Sequence, residues 1–269
     1  MSAIFALCSA DVVHVLSDAA TTATKEGRIV ALAPKQAALR NGVLVAGIGL
    51  WPPVAHFARL ADELATFDDV TRAAPELWAE VRERMPAAAK DVLGVTAFAG
   101  WSDERERMVL HFVQWPDAFT YDVPGYAGGP SADCAEFASN FGKPFVDEPA
   151  SFDPSRDGVQ FFEMLRRRHF RDFDDGKHPA VGGWVDHSIV TREGAETRVI
   201  HTWPSDTVGR LIDPDATAPA GEPWGTALDM RVVGDAVERQ FGQFGLAKIR
   251  EIAALELAQE EAASIPYKH

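Results

Sequence analysis

The chain has 269 residues, 46% of them hydrophobic, which is enough for a sizeable core and lies within the single-domain range. Its 26 Lys and Arg stand against 40 Asp and Glu, and the net charge of −14 argues against a nucleic-acid partner, because phosphate-backbone binding needs concentrated positive charge. Two cysteines, Cys8 and Cys134, exclude a disulfide framework and have no metal-ligand spacing, so both read as buried apolar residues.

The chain opens on short strands. Ala3 to Cys8 is a brief apolar run bounded by Ser9-Ala10-Asp11, and Val12 to Leu16 reads as its return strand, ending at Asp18. A third β-rich run, Arg28 to Ala33, leads to Pro34-Lys35, and a fourth, Gly42 to Ala46, ends in Gly47-Ile48-Gly49. Four strands are thus expected before any helix. The first apolar run is too short for a signal peptide and has no Lys or Arg before it, and no stretch approaches the ~20 apolar residues of a membrane span. A cytoplasmic protein without a membrane partner is expected.

From Trp51-Pro52-Pro53 a helix runs to about Thr66, with Val54, Phe57, Leu60 and Leu64 on one face. Asp68-Asp69 reads as the N-cap of a second helix, striped by Val70, Leu77, Val81 and Met85 and stopped by Pro86. Val95 to Ala99 and Met108 to Val113 form a hairpin. Gly128-Gly129-Pro130 precedes a short helix to about Phe141, and the prolines between 142 and 157 mark a loop. A helix follows from Asp157, carrying Arg166-Arg167-Arg168, whose expected place is a solvated helix face. Trp184 to Val190 and Thr197 to Trp203 make a last hairpin, and a helical extension is expected over about 226–263. The elements predict an α+β fold of two sheets flanked by helices, in a single domain over 1–269.

Three positions stand out: Ser2 behind the initiator Met, Asp18 sixteen residues later, and Lys35 seventeen further on, with Leu39, Asn41 and Ala46-Gly47 beyond. This arrangement resembles the proteasome β-subunit superfamily, most closely the peptidase subunit of the bacterial two-component protease that works with an ATPase unfoldase. The resemblance implies the four-layer αββα sandwich of N-terminal nucleophile hydrolases. It further implies a homo-oligomeric ring, peptide substrates, an ATPase partner and no cofactor or metal. Ser2, exposed by removal of Met1, would be the nucleophile and its own α-amine, titrating near ~8, the base. Lys35 would favour the deprotonated forms, Asp18 would hold Lys35, and the N–H of Gly47 would meet the oxyanion. Thr22, Ala33 and Trp51 would line the substrate site, Trp51 as the pocket wall. Loss of Lys35 is expected to remove activity without unfolding the chain.

The likeness departs from the family pattern where supporting hydroxyls and a carboxylate belong, since those positions hold Ala127, His178 and Val181. The eight histidines show no metal-ligand spacing, and Gly47-Ile48-Gly49 lacks the third glycine of a dinucleotide loop. Alongside the N-terminal serine hydrolase stand two alternatives, a proteasome-like scaffold or shell that has lost its chemistry and an amidase acting on a small molecule.

Overall fold

A computed structural model describes residues 3–22, 27–49, 51–87, 90, 94–123, 126–128, 141–142, 144–145, 148–167, 179 and 181–215. Ser2, the helix expected before Phe141 and the extension over about 226–263 lie outside the described residues. The fold is α+β.

Six strands precede the first helix: β1 (Ile4–Cys8), β2 (Val13–Asp18), β3 (Ala20–Thr22), β4 (Ile29–Leu32), β5 (Gln36–Ala38) and β6 (Leu44–Ile48). Sequence reasoning anticipated four of these and missed β3 and β5, three-residue strands too short to display a period of two. Helices α1 (Trp51–Ala61) and α2 (Phe67–Arg84) follow, then β7 (Gly94–Ser102), β8 (Arg107–Trp115), β9 (Phe119–Asp122) and β10 (Tyr126–Gly128). Helix α3 (Val159–Arg166) leads to β11 (Trp184–Thr191) and β12 (Gly194–Thr202).

The strands form two five-stranded sheets, β10-β1-β2-β11-β12 and β5-β6-β7-β8-β9, and a separate ribbon, β3-β4. Every pairing within them is antiparallel. Three of the buried clusters among the described residues organise the two five-stranded sheets. Ile4, Ala6, Val13 and Val15 of the first sheet meet Leu44, Ala46, Ala97, Ala99 and Leu110 of the second. The alternate residues Phe5, Leu7 and Leu16 pack with Phe161, Phe162 and Leu165 of α3. On the second sheet, Val43, Val45, Phe98 and Val109 pack with Phe57 of α1 and Trp78 of α2. β1 therefore reads as an unbroken apolar run because both its faces are covered. Each fully buried Phe in these layers contributes roughly 2–3 kcal/mol.

The N-cap of helix α2 is Thr66, ahead of the expected Asp68-Asp69. Its side-chain oxygen accepts the Asp69 N–H at 3.1 Å. Asp68 is buried instead and accepts from Ser102 Oγ at 2.6 Å and Glu104 N–H at 3.2 Å, which ties the helix to the β7–β8 turn. Among the described residues no helix is long and apolar enough to cross a membrane.

Candidate functional site

Asp18 ends the central strand β2 and is fully buried. Its Oδ1 accepts from the Ala3 N–H at 2.8 Å and from Lys35 Nζ at 2.8 Å. Its Oδ2 accepts from the N–H groups of Ala20 and Gly182, each at 3.2 Å. A buried carboxylate is costly unless its lone pairs are filled, and here the donors come from four segments: the start of β1, the start of β3, the approach to β5 and the approach to β11.

Lys35 is buried with it. Loss of hydration pulls its ammonium below the ordinary lysine range, and the Asp18 charge pushes back. Nζ also donates to the Ala20 carbonyl, so among the described residues two acceptors serve a group with three hydrogens. The neighbours in the Lys35-Leu39-Asn41 spacing have structural tasks. Leu39 packs beneath the helices. Asn41 donates to the carbonyls of Ala61 and Leu64, each at 3.0 Å, and so satisfies the end of α1. Burial also revises the expectation for Lys35→Ala, since removing one partner of a buried pair costs about 3–5 kcal/mol.

Gly47 is placed differently from its expected role. Its N–H donates to the Lys35 carbonyl at 3.1 Å, so that bond holds the lysine backbone and the N–H is committed rather than open to an oxyanion. The glycine has a packing reason too, because a Cβ there would come within 2.3 Å of Val54 on α1. Ala33 is buried and donates its N–H to the Ala19 carbonyl at 3.0 Å, bringing the end of β4 beside the Asp18 turn. Thr22 is buried in the β3–β4 ribbon opposite Ile29. Trp51 begins α1, and its side chain lies outside the described residues, as does His178. Val181 is buried with an apolar side chain, and Ala127 is paired with Ala6 across β10 and β1.

Sequence reasoning missed two parts of this region. The first is Asp186 on β11, buried with Ser17 and Gln36. Gln36 Nε2 donates to Ser17 Oγ at 2.9 Å and to the Asp186 carbonyl at 3.2 Å, while among the described residues Gln36 Oε1 and Asp186 Oδ2 are buried without partners. Two orphaned acceptors are unfavourable, and a proton on Asp186 turns one of them into a donor. Burial raises the Asp186 carboxyl to about 7, the Trp184 side chain and then Lys35 drawing it down and Asp18 adding to the rise.

The second is Arg166. The expected solvated helix face is wrong for this residue. Arg166 is wholly buried, and its guanidinium meets Asp206 in two parallel bonds, Nη1 to Oδ2 at 2.6 Å and Nη2 to Oδ1 at 2.7 Å. Its neighbour Arg167 is the exposed one, reaching Glu163 at 3.9 Å. An arginine in a run of three carries no sequence sign of burial. Only the helix phase, which puts Arg166 one turn below Phe162 and beside Leu165, could have given it away.

On the helix-covered face of the same sheet, His14 Nδ1 and His187 Nε2 lie 3.0 Å apart in stacked rings. Burial lowers both, His187 to about 3 with the charge of His14 as a smaller cause. Among the described residues no group of three or more His, Cys, Asp or Glu is placed to hold a metal ion.

Compared with protein-family models and with curated proteins, the chain matches none of either.

Proposed function

We propose that this chain is an N-terminal serine hydrolase of the proteasome β-subunit type, cleaving peptide or amide bonds in a homo-oligomeric ring in the cytoplasm. The observation that carries the reading is the shared Asp18 oxygen, which takes both Lys35 Nζ and the Ala3 N–H at 2.8 Å. The Ala3 nitrogen is bonded directly to the Ser2 carbonyl carbon, about 1.33 Å away. Ala3, the residue after Ser2 in sequence, therefore shares an acceptor with a buried ammonium that retains an uncommitted hydrogen among the described residues. Two packed sheets with helices against an outer face of each support the same reading, as the four-layer αββα sandwich that such enzymes use.

In this mechanism removal of Met1 frees the Ser2 amine. The amine takes the hydroxyl proton as Ser2 Oγ attacks the substrate carbonyl carbon. The C–N bond breaks, the departing nitrogen takes that proton, and an acyl ester remains on Ser2. Water, deprotonated by the same amine, then hydrolyses the ester. Lys35 lowers the free energy of the alkoxide through its charge, and Asp18 keeps that charge in place. An ATPase unfoldase that feeds the ring belongs to the proposal as its partner.

A second reading, a proteasome-like scaffold without chemistry, draws on the commitment of the Gly47 N–H to Lys35 and on the absence of hydroxyl side chains at Ala127 and Val181. The two separate on three measurements. The hydrolase requires an intact mass lacking Met1, labelling by a probe directed at N-terminal nucleophiles, and loss of that labelling in Ser2→Ala with partial retention in Ser2→Thr. A retained Met1, or labelling that persists in Ser2→Ala, overturns the hydrolase. Rings without labelling leave the scaffold standing. Light scattering that gives a monomer of 29.3 kDa removes the ring from both.

A further inference from the structure

The segment Val181-Gly182-Gly183 lies between two buried ion pairs and bonds to both. On one side the Gly182 N–H donates to Asp18 Oδ2 at 3.2 Å, and the Gly182 carbonyl accepts the N–H groups of Ala19 and Ala20 at 3.1 and 3.0 Å. On the other side Arg166 Nη1 donates to the Val181 carbonyl at 3.0 Å, and Asp206 Oδ2 accepts the Gly183 N–H at 2.7 Å. Arg166 Nη2 further donates to the Asp213 carbonyl at 2.9 Å, and the guanidinium lies 4.7 Å from the Trp203 ring centroid. Each of the three residues is thus fixed through its backbone, and no side chain of the segment takes part.

Space requires this sequence as well as hydrogen bonding. A Cβ on Gly182 would come within 2.4 Å of Asp206 Oδ2 and 2.9 Å of Arg166 Nη1, and Gly183 has φ +80°, where a side chain is strained. The Arg166–Asp206 pair thus lies directly against Gly182, the glycine that reaches Asp18. Among the described residues it also leaves Arg166 Nε buried without an acceptor, a cost that a pair selected for stability alone has no reason to carry.

We infer that the Arg166–Asp206 pair is a positioning clamp, holding Val181 to Gly183 so that the Gly182 N–H stays on the Asp18 carboxylate and fixes the Asp18–Lys35 pair from behind. The clamp itself follows from geometry, and only its effect on reactivity rests on the proposed hydrolase.

The test compares two charge-free replacements of the pair in the full chain. Arg166→Met with Asp206→Leu removes every polar atom of the clamp, and its apolar pair can keep the core filled. Arg166→Met with Asp206→Asn restores an acceptor oxygen for the Gly183 N–H. Amide exchange at Gly182 is expected to rise on the order of a hundredfold in the Leu combination, at a melting temperature close to that of wild type, and to fall back toward wild type in the Asn combination. Probe labelling of Ser2 is expected to slow about tenfold in the first and to recover in the second. Equal Gly182 exchange in wild type and in a folded Leu combination overturns the clamp. Should the Leu combination not fold, wild type still decides, because a clamped segment protects the Gly182 and Gly183 amides as well as the β2–β11 ladder, and exchange there as fast as at exposed Glu193 overturns it. A wild type that never labels sinks the hydrolase and leaves the exchange comparison to judge the clamp alone.

Discussion

Two buried ion pairs sit on either side of one glycine pair, and they are built for different purposes. Arg166 meets Asp206 through a rigid fork of two parallel hydrogen bonds. Lys35 meets a single oxygen of Asp18 with one flexible ammonium, which burial draws below its usual range. Asp18 is crowded by three backbone N–H groups besides the lysine, whereas Asp206 has the Gly183 N–H and the guanidinium. A rigid fork suits a part that must hold still, and a single flexible ammonium suits a part that must adapt to a reacting group.

That contrast can be broken by substitution. The largest effect is expected from Arg166→Ala, which leaves the buried Asp206 carboxylate with little besides one backbone donor and should cost about 5 kcal/mol, read from urea unfolding. A loss below about 1 kcal/mol would mean that Asp206 escapes to solvent and that the pair is ornamental.

Asp186→Asn sharpens the titratable side. The folded carboxyl titrates at about 7 against an ordinary value of 3.8, so in wild type its contribution to stability is present below about pH 4 and is lost as pH rises toward 7. The asparagine mimics the protonated acid and does not ionise. At about 1.4 kcal/mol per pKa unit, the variant should gain on the order of 4 kcal/mol over wild type at pH 8 and very little at pH 4. Parallel melting curves at the two pH values would remove Asp186 as a buried acid.

Lys35→Met comes next, at about 3 kcal/mol, the lower end for a broken buried pair because Asp18 keeps its three N–H donors. Its effect on probe labelling should be complete. Full labelling in a folded Lys35→Met protein would contradict the role given to the ammonium.

The smallest effect belongs to His187, on the same strand as Asp186 but the opposite face. Its folded pKa lies near 3 against an ordinary 6.5, so the cost of burying it neutral grows as pH falls below 6.5. His187→Leu should therefore recover about 2 kcal/mol relative to wild type at pH 5 and nothing at pH 8. A recovery equal at both pH values would assign the change to packing.

Much of this was legible beforehand, and the reasons are local. β1 and β2 announce themselves as short apolar runs around Ser9-Ala10-Asp11, and the 94–115 and 184–202 hairpins alternate or bracket turns in the usual way. Asp18 and Lys35 are found together, as the resemblance implied. What was not legible depends on tertiary closure. Gly47 looks like a free amide donor until the β5–β6 pairing places Lys35 opposite it. Arg166 looks like a surface residue until Asp206, forty positions away, is folded onto it. Asp186 looks like an ordinary strand acid until the second sheet covers it, for its protonation is a property of its enclosure.

The strand order carries a consequence in time. β2 pairs on one edge with β1, across a turn of a few residues, and on the other with β11, where Asp18 faces Val185. Closing the second, far longer loop costs roughly 3 kcal/mol more in chain entropy than closing the first. The early hairpin and Lys35 exist as soon as the first fifth of the chain has been made, but Gly182 and β11 arrive only after two-thirds of it. The Asp18 shell is therefore among the last features to be completed during synthesis. Until Gly182 has been made, the donors that Asp18 has among the described residues are those of Ala3, Ala20 and Lys35.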